Sequence, residues 1–436
     1  MRLLFLVLLT ALVLSMKVSS QTPETFAEIW DKEHVSHISP SDVRHADLKK
    51  YLDGLRKSGL KVDQVGISNA SREIYQVEWG RGPLKVFMWS QMHGDEPTAT
   101  SSLIDMFTVL HKERDKDWVK KMAEIMTIRA VPMLNPDGAD MYQRRNLQGI
   151  DINRDAIDLK TPEARLLKKL RDDWSPAIGF NLHNQQALTT VGRAPRQASI
   201  SLLVVYGDEA KTKTAGLDRN ERIASAIVLA LQKFVPGNIA RYSDEYTSTA
   251  FGDNFSAWGT PVILIETGAL YGKDEMYLVK VNFVAFLTAL NSLATGGEAN
   301  QSPEPYLSLA ENSSGTLVNF VFHNANIISS REAISPIVGD IAAVTERRRA
   351  SFAAPTVIRG VGDIGGRHGL EEYDASGFTV FQRFGKIASG ELAEFFFYKK
   401  DRVVDWKAVD VERQFPPDAI FSLGRWIKGE GVVPKR

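Results

Sequence analysis

The stretch PLKVFMWSQMHGDEPTATSSLIDMFTVLHK, residues 83–112, decides how the chain is read. Its first part is a short, nearly unbroken apolar run after a Gly-Arg-Gly-Pro turn, which suits a buried strand. Its last part begins at Pro97 and places Leu103, Ile104, Phe107 and Leu110 on one helical face. Between them lies a polar turn, His93-Gly94-Asp95-Glu96. Strand, turn and helix in succession form one unit of an α/β sheet, and such sheets present ligand sites at the carboxyl ends of their strands. By itself, His-x-x-Glu is a frequent chance spacing, and most instances are surface turns. Here the turn sits where a site belongs, Gly94 lets the backbone bend, and Pro97 fixes the start of the helix. His93 offers a nitrogen ligand and Glu96 an oxygen ligand; catalytic zinc commonly takes three protein groups and leaves one position open.

The same alternation continues on both sides. Upstream, ADLKKYLDGLRKSG (46–59) has helical spacing and stops at Gly59, and LKVDQVGIS and EIYQVEWG read as strands. Downstream, EIMTIRAVPML is a strand ending in the turn NPDG, and TPEARLLKKLRDDW is a helix capped near Thr161. AIGFNLHN, SLLVVYG and TPVILIETG read as strands; RNERIASAIVLALQKFV and EMYLVKVNFVAFLTALNSLATGG read as helices. Several strands are apolar throughout. The pattern over 46–297 predicts an α/β fold, a mixed parallel and antiparallel sheet flanked by helices. Beyond a Gly/Pro/Ser-containing linker at 294–306, strand-like runs dominate, with one short helix expected near GDIAAVTERRRASF (339–352). The expected organisation is a principal domain over 21–298 and a smaller β-rich module over 303–436. The segment 21–46 is polar, and its His34, His37 and His45 are expected to face solvent.

Composition narrows the function. The chain has 436 residues, more than one small core needs. Lys+Arg and Asp+Glu number 53 each, so no basic excess draws nucleic acid or anionic lipid. There are no cysteines, which excludes disulfides, thiolate metal sites and cysteine nucleophiles. Any metal must therefore be held by His, Asp or Glu. MRLLFLVLLTALVLSM and the following KVSSQ predict a signal peptide over 1–20, cut before Gln21, with an uncleaved anchor as the alternative. No other apolar run is expected to span a membrane. Without a lipoprotein cysteine, the expected location is secreted or periplasmic, with no stable membrane insertion after leader removal. A large disulfide-free secreted chain suits a bacterial source.

A third metal ligand should come from another strand end, and GFNLHNQQ supplies His183 there; His111, His323 and His368 are less well placed. VILIETG ends an apolar strand with Glu266, a carboxylate that is costly to bury unless it is used. The loop NPDGADMYQRRNLQGIDINRDA (135–156) carries Arg144, Arg145, Asn153 and Arg154. Arginines beside a metal suit carboxylate recognition and oxyanion stabilisation; without the other residues they would read as a solvated loop.

In their order along the chain, HGDE, NPDG, GIDINRD, LH after a strand and IETG before a helix resemble the zinc metallocarboxypeptidases, the carboxypeptidase A-like or funnelin family. The resemblance spans about 46–297 and implies a carboxypeptidase-like fold. It implies one Zn²⁺ per chain on His93, Glu96 and His183, with Asp151 fixing the His93 ring. Glu266 would be the general base that activates a zinc-bound water. Arg144, with Arg145 as the fallback, would polarise the scissile carbonyl. Asn153 and Arg154 would grip the terminal carboxylate, and Tyr246 would be the tyrosine closing over the substrate. The implied substrate is a peptide with a free C-terminal carboxylate. Asp95 stands where pancreatic-type members carry Arg, so the outer substrate contacts are expected to differ. Asp253 at a pocket base would favour C-terminal Lys or Arg, and no inhibitory pro-segment is expected between leader and domain. The alternatives are a related amide hydrolase, acting on peptidoglycan peptides or N-acyl amino acids, and a non-catalytic binding protein on the same scaffold.

Overall fold

The computed structural model describes residues 21–330, 332 and 335–436; the leader, and with it the signal-peptide reading, lies outside them. The first unit contains β1 (Lys61–Ile67), β2 (Glu73–Gly80), β3 (Leu84–Ser90), β4 (Met126–Val131) and β5 (Ile178–Asn184). The short β6 (Thr190–Val191) follows, then β7 (Ile200–Val205), β8 (Ile239–Arg241) and β9 (Val262–Thr267). All but β6 join one sheet, in the order β1-β2-β4-β3-β5-β9-β7-β8. Its centre, β4-β3-β5-β9, is parallel, while β1, β2 and β7 run antiparallel to their inner neighbours. Four carboxyl ends therefore open at one edge, and the helices that return the chain cover both faces.

Alternation along the strands divides the core in two. Val86, Met88, Phe180, Leu182, Ile263 and Ile265 pack beneath the helices Thr98–Lys112, Ala215–Leu231 and Glu275–Thr295. Phe87, Trp89, Val262 and Leu264 face the other way, against the helices Pro162–Trp174 and Phe251–Ala257. By this alternation His183 and Glu266 share the second face, and they are direct partners in the β5–β9 register. Glu275–Thr295 is long and apolar enough to cross a membrane, unlike the expectation from sequence, but 78% of its apolar window is buried in the core.

The second unit is another eight-stranded sheet. After β10 (Asn312–Ser313) come β11 (Leu317–Ile328), β12 (Ile337–Thr345), β13 (Thr356–Gly362) and β14 (His368–Asp374). β15 (Phe378–Gln382), β16 (Phe395–Lys399), β17 (Ala419–Ser422) and β18 (Arg425–Lys428) complete it. The long β11 pairs with β12, β14 and β15, and Phe322, Phe395, Phe397, Phe421 and Trp426 stack in the core beneath.

Four expectations change. The helix expected near 339–352 is β12 and a loop, because pairing with β11 and β13 overrides the helix propensity of Ala342 and Ala343. The first unit extends past 298, through residues assigned from sequence to the second. Tyr306 is buried in the first core and its hydroxyl accepts from the Val204 amide at 2.9 Å, while β10 pairs with β6. Residues 23–33 form a helix, and His45 is buried, its Nε2 donating to the Glu73 carbonyl at 2.8 Å. A helix at Asp117–Ile125 was not anticipated.

Candidate active site

The HGDE turn is held from three sides. Gln91 sits at φ +50°, donates from Nε2 to the Gly94 carbonyl at 2.9 Å, and accepts from the Thr100 hydroxyl at 2.8 Å. Asn135 of NPDG caps its own helix through Gly138 N at 2.9 Å and donates to the Met92 carbonyl at 3.2 Å. The two turns touch backbone to backbone. A Cβ on Gly94 would lie 1.9 Å from the Gly138 carbonyl carbon, so Gly94 is required for close approach rather than for a bend. Asp137 accepts from Arg72, Ser68 and the Ala70 amide at 2.7–2.9 Å, tying NPDG to the β1–β2 hairpin.

On this frame three side chains converge. His93 Nδ1 lies 2.9 Å from Glu96 Oε1 and 3.2 Å from His183 Nδ1, and His183 Nδ1 lies 2.6 Å from Glu96 Oε2. They are the one group among the described residues whose potential ligand atoms cluster as a metal site requires. All are buried. The His93 Nε2–H donates to Asp151 Oδ1 at 3.0 Å, which turns the Nδ1 lone pair toward the cluster. The imidazole nitrogens facing each other at 3.2 Å can share at most one proton. A tetrahedral dication with bonds of about 2.0–2.1 Å wants donors about 3.3 Å apart, so this donor set fits zinc. Asp95 is not among the ligands; its side chain lines the cavity beside them.

The charges are sorted by their surroundings. Burial and the neighbouring His93 and Arg144 lower His183 and favour the neutral ring that ligates metals, against the pull of Glu96. Burial opposes charge on His93 as well, but Glu96 and Asp151 outweigh it and push its pKa up to about 9. Burial would raise Glu96, yet the two histidines hold it well below the usual carboxylate range. Glu266 goes the other way: burial and then the Glu96 charge raise it well above 4.5. Among the described residues no cation lies within 4 Å of it. Buried and without an ion-pair partner, it faces the cluster from the adjacent strand.

A cavity of about 680 Å³ opens over these groups. Arg144 stands at its edge, its Nη1 3.2 Å from Glu96 Oε1 and its Nε 3.0 Å from Asp151 Oδ2. Asn153 and Arg154 line it; Asn153 Oδ1 accepts from the Phe251 amide at 2.9 Å, which leaves its Nδ2 to donate. Leu203, Val205, Leu264 and Gly252 also line the cavity, as does Asp253, whose Oδ1 accepts from the Thr247 amide at 2.9 Å. Two sequence choices fall elsewhere. Arg145 is exposed and bonded to the Gly149 carbonyl at 3.0 Å, outside the cavity, because the chain turns between it and Arg144. Tyr246 does not line the cavity; Tyr242 does. Tyr242 continues the β7–β8 pairing through its amide to the Leu202 carbonyl at 2.8 Å, and the Glu266 carboxylate, then burial, pushes its phenol up to about 12. The repeated Tyr in RYSDEY was the available signal. Asn184, Gln185 and Arg347 were also missed, the last because it comes from the second unit.

Residues 48–253 match the profile of the Peptidase M14 family, zinc carboxypeptidases. Over this segment the chain is similar to the zinc carboxypeptidases. The match takes in His93, Glu96, Asp151 and His183 and ends before Glu266. The chain is 33% identical over 111 residues to Carboxypeptidase 2 of Trichophyton tonsurans, covering 26% of this chain and 20% of that one. It is 26% identical over 147 residues to a carboxypeptidase of Arabidopsis thaliana, covering 29% and 30%. The matches thus span about a fifth to a third of these relatives. Among solved structures, a metallo-carboxypeptidase from Burkholderia cenocepacia is similar with a TM-score of 0.47 and 14% identity, over 58% of this chain and 69% of that one.

Proposed function

We propose that the chain is a secreted or periplasmic zinc carboxypeptidase that removes the C-terminal residue of peptides. The observation that carries this is the convergence of His93, Glu96 and His183 beside Glu266, a buried carboxylate with no ion-pair partner among the described residues. Zinc on the two Nδ1 atoms and the Glu96 carboxylate would supply Lewis acidity to a substrate carbonyl and to water. Glu266 then takes a proton from the attacking water on a carboxylate oxygen, as its hydroxyl oxygen bonds to the carbonyl carbon. The C–N bond breaks, and Glu266 returns the proton to the leaving nitrogen. Arg144 uses Nη1 and Nε within the protein, and its Nη2 is the donor left to meet the developing oxyanion. Asn153 Nδ2 and the Arg154 guanidinium hold the terminal carboxylate, which is how such a site measures the chain end. Asp253 in the cavity lining suits a basic C-terminal side chain. The leader over 1–20 motivates the location.

The test is release of C-terminal amino acids from a mixed peptide library by the zinc-loaded protein, read by mass spectrometry. Stepwise loss from the carboxyl end supports the reading. Hydrolysis of N-acyl amino acids alone, with peptides untouched, would overturn it.

A further inference from the structure

The second unit reaches into the cavity at one loop. Glu346–Ser351, with the sequence ERRRAS, leaves β12 and lies across the first unit. Arg349 anchors it. The side chain is buried and donates to the carbonyls of Ser41 (2.8 Å), Ala139 (2.6 Å) and Asp140 (3.0 Å). Around it the Ala350 amide donates to Ser41 Oγ at 2.9 Å, and Ser351 Oγ donates to Asp42 Oδ1 at 2.6 Å. The loop therefore docks on the NPDG helix, which itself packs against the HGDE turn.

Two residues before this anchor, Arg347 points into the cavity. Its Nη2 donates to the Asp95 carbonyl, and its Nε donates to the Tyr142 hydroxyl at 3.2 Å. Asp95 immediately precedes the ligand Glu96. Nη1 makes no hydrogen bond among the described residues. A second, smaller cavity of about 140 Å³ adjoins the first, lined by Thr98, Tyr142, Leu270 and Lys273 among others. The residues common to both cavities are Asn184, Gln185 and Arg347. None of Arg144, Asn153, Arg154, Tyr242 or Asp253 lines the smaller one. The smaller cavity thus meets the larger one at Asn184, Gln185 and Arg347 and not at the residues proposed to grip the terminal carboxylate.

We infer that Arg347 is a substrate-binding residue supplied by the β-rich module, donating from Nη1 to a carbonyl or carboxylate oxygen upstream of the scissile bond. This rests on the carboxypeptidase reading, which sets the direction of the substrate. The fixed Nε and Nη2 contacts hold the guanidinium in place before substrate arrives, so little side-chain freedom is lost on binding. The module is then part of the active site rather than an appended domain.

The experiment compares the zinc-loaded full chain with Arg347→Gln and Arg347→Lys on three substrates sharing one C-terminal residue. An N-acyl amino acid has no carbonyl beyond the scissile one, an N-acyl dipeptide adds one, and an N-acyl dipeptide with Glu upstream adds a carboxylate as well. A charge-assisted hydrogen bond corresponds to a loss of about 10- to 100-fold in kcat/KM. That loss is expected in Arg347→Gln for the dipeptides and not for the N-acyl amino acid, with partial recovery in Arg347→Lys. Loss confined to the Glu substrate assigns the acceptor to the side-chain carboxylate; equal loss on both dipeptides assigns it to the backbone carbonyl. Calorimetric binding of the same dipeptides to the Glu266→Gln protein, with and without Arg347→Gln, reads the contact without turnover, and melting curves check the fold. Equal losses on all three substrates, or none, overturn the inference while wild-type hydrolysis of the dipeptides keeps the carboxypeptidase reading. Failure of the wild type to cleave any of them removes both.

Discussion

Replacing Asp151 by Asn separates the geometry of the ligands from their mere presence. Asp151 accepts from His93 Nε2 at 3.0 Å and from the Asn153 amide at 2.9 Å on one oxygen, and from Arg144 Nε at 3.0 Å on the other. Against burial, His93 and Arg144 hold its carboxyl well below the usual range, so the charged form is the one in use. An Asn side chain has one acceptor oxygen and no charge. It can serve the His93 and Asn153 donors or Arg144, but not all three, and its own amide hydrogens then face a donor. The His93 tautomer and the Arg144 position are both weakened. Losing such an orienting partner costs about 10- to 100-fold in metal affinity, or about 1.4–2.8 kcal/mol. Zinc affinity is measured by competition with a chromogenic chelator at fixed pH, with kcat/KM alongside. Both are expected to fall in Asp151→Asn, with circular dichroism unchanged. Asp137→Asn is the matched control: it lies in the same loop region but bonds the β1–β2 hairpin, so it should lower Tm and spare zinc affinity. A folded Asp151→Asn protein binding zinc within twofold of wild type would show that Asp151 does not orient the His93 ring for the metal.

Three further outcomes follow from the frame. Gly94→Ala places a Cβ 1.9 Å from the Gly138 carbonyl carbon, and the backbone on both sides must move; a destabilisation of about 3 kcal/mol by denaturant unfolding, with weaker zinc binding, is expected. Asp105→Ala leaves the Trp30 indole and the amides of Val35 and Ser36 without their acceptor, bonds of 2.9 Å each; a loss of at least about 3 kcal/mol is expected, and a change below 1 kcal/mol, on the order of a single surface contact, would contradict it. Glu163 is buried, and burial, with Asp137 nearby, raises its carboxyl above 4.5. The folded state then holds the proton more tightly than the unfolded chain, so its stabilising contribution is present below the unfolded pKa and is lost as pH rises through the folded one. Glu163→Gln should accordingly gain in Tm over wild type as pH goes from 4 to 7; a constant gap would show that the carboxylate is paid no such penalty.

Much of the centre was legible because strand ends are marked twice, by apolar runs and by the polar residue that interrupts them. His93, Glu96, His183 and Glu266 each follow such a run; strand register pairs His183 with Glu266, and the Gln91 and Asn135 contacts set the HGDE turn beside them. Helix caps such as Thr161, which accepts from the Ala164 amide at 3.1 Å, were also local and readable. What was not legible depends on distant packing. Gly94 looked like a bend, but its reason lies in Gly138, 44 positions on. Tyr242 and Tyr246 are separated only by how β8 pairs with β7, which no local pattern states. The β12 segment has helix-favouring alanines and becomes a strand because two neighbours pair with it. Arg347 is one of three consecutive arginines, and only the docked loop shows which one enters the cavity.

In the proposed mechanism three ligands hold zinc while Glu266 moves the proton. The most direct measurement is zinc content together with C-terminal residue release for wild type and Glu266→Gln. Glu266→Gln should keep one zinc per chain and lose release of the terminal residue by at least about 10²-fold, the scale of a lost general base. A Glu266→Gln protein that cleaves peptides at near wild-type rate, or a wild type that cleaves them equally well after complete removal of zinc, would contradict the account.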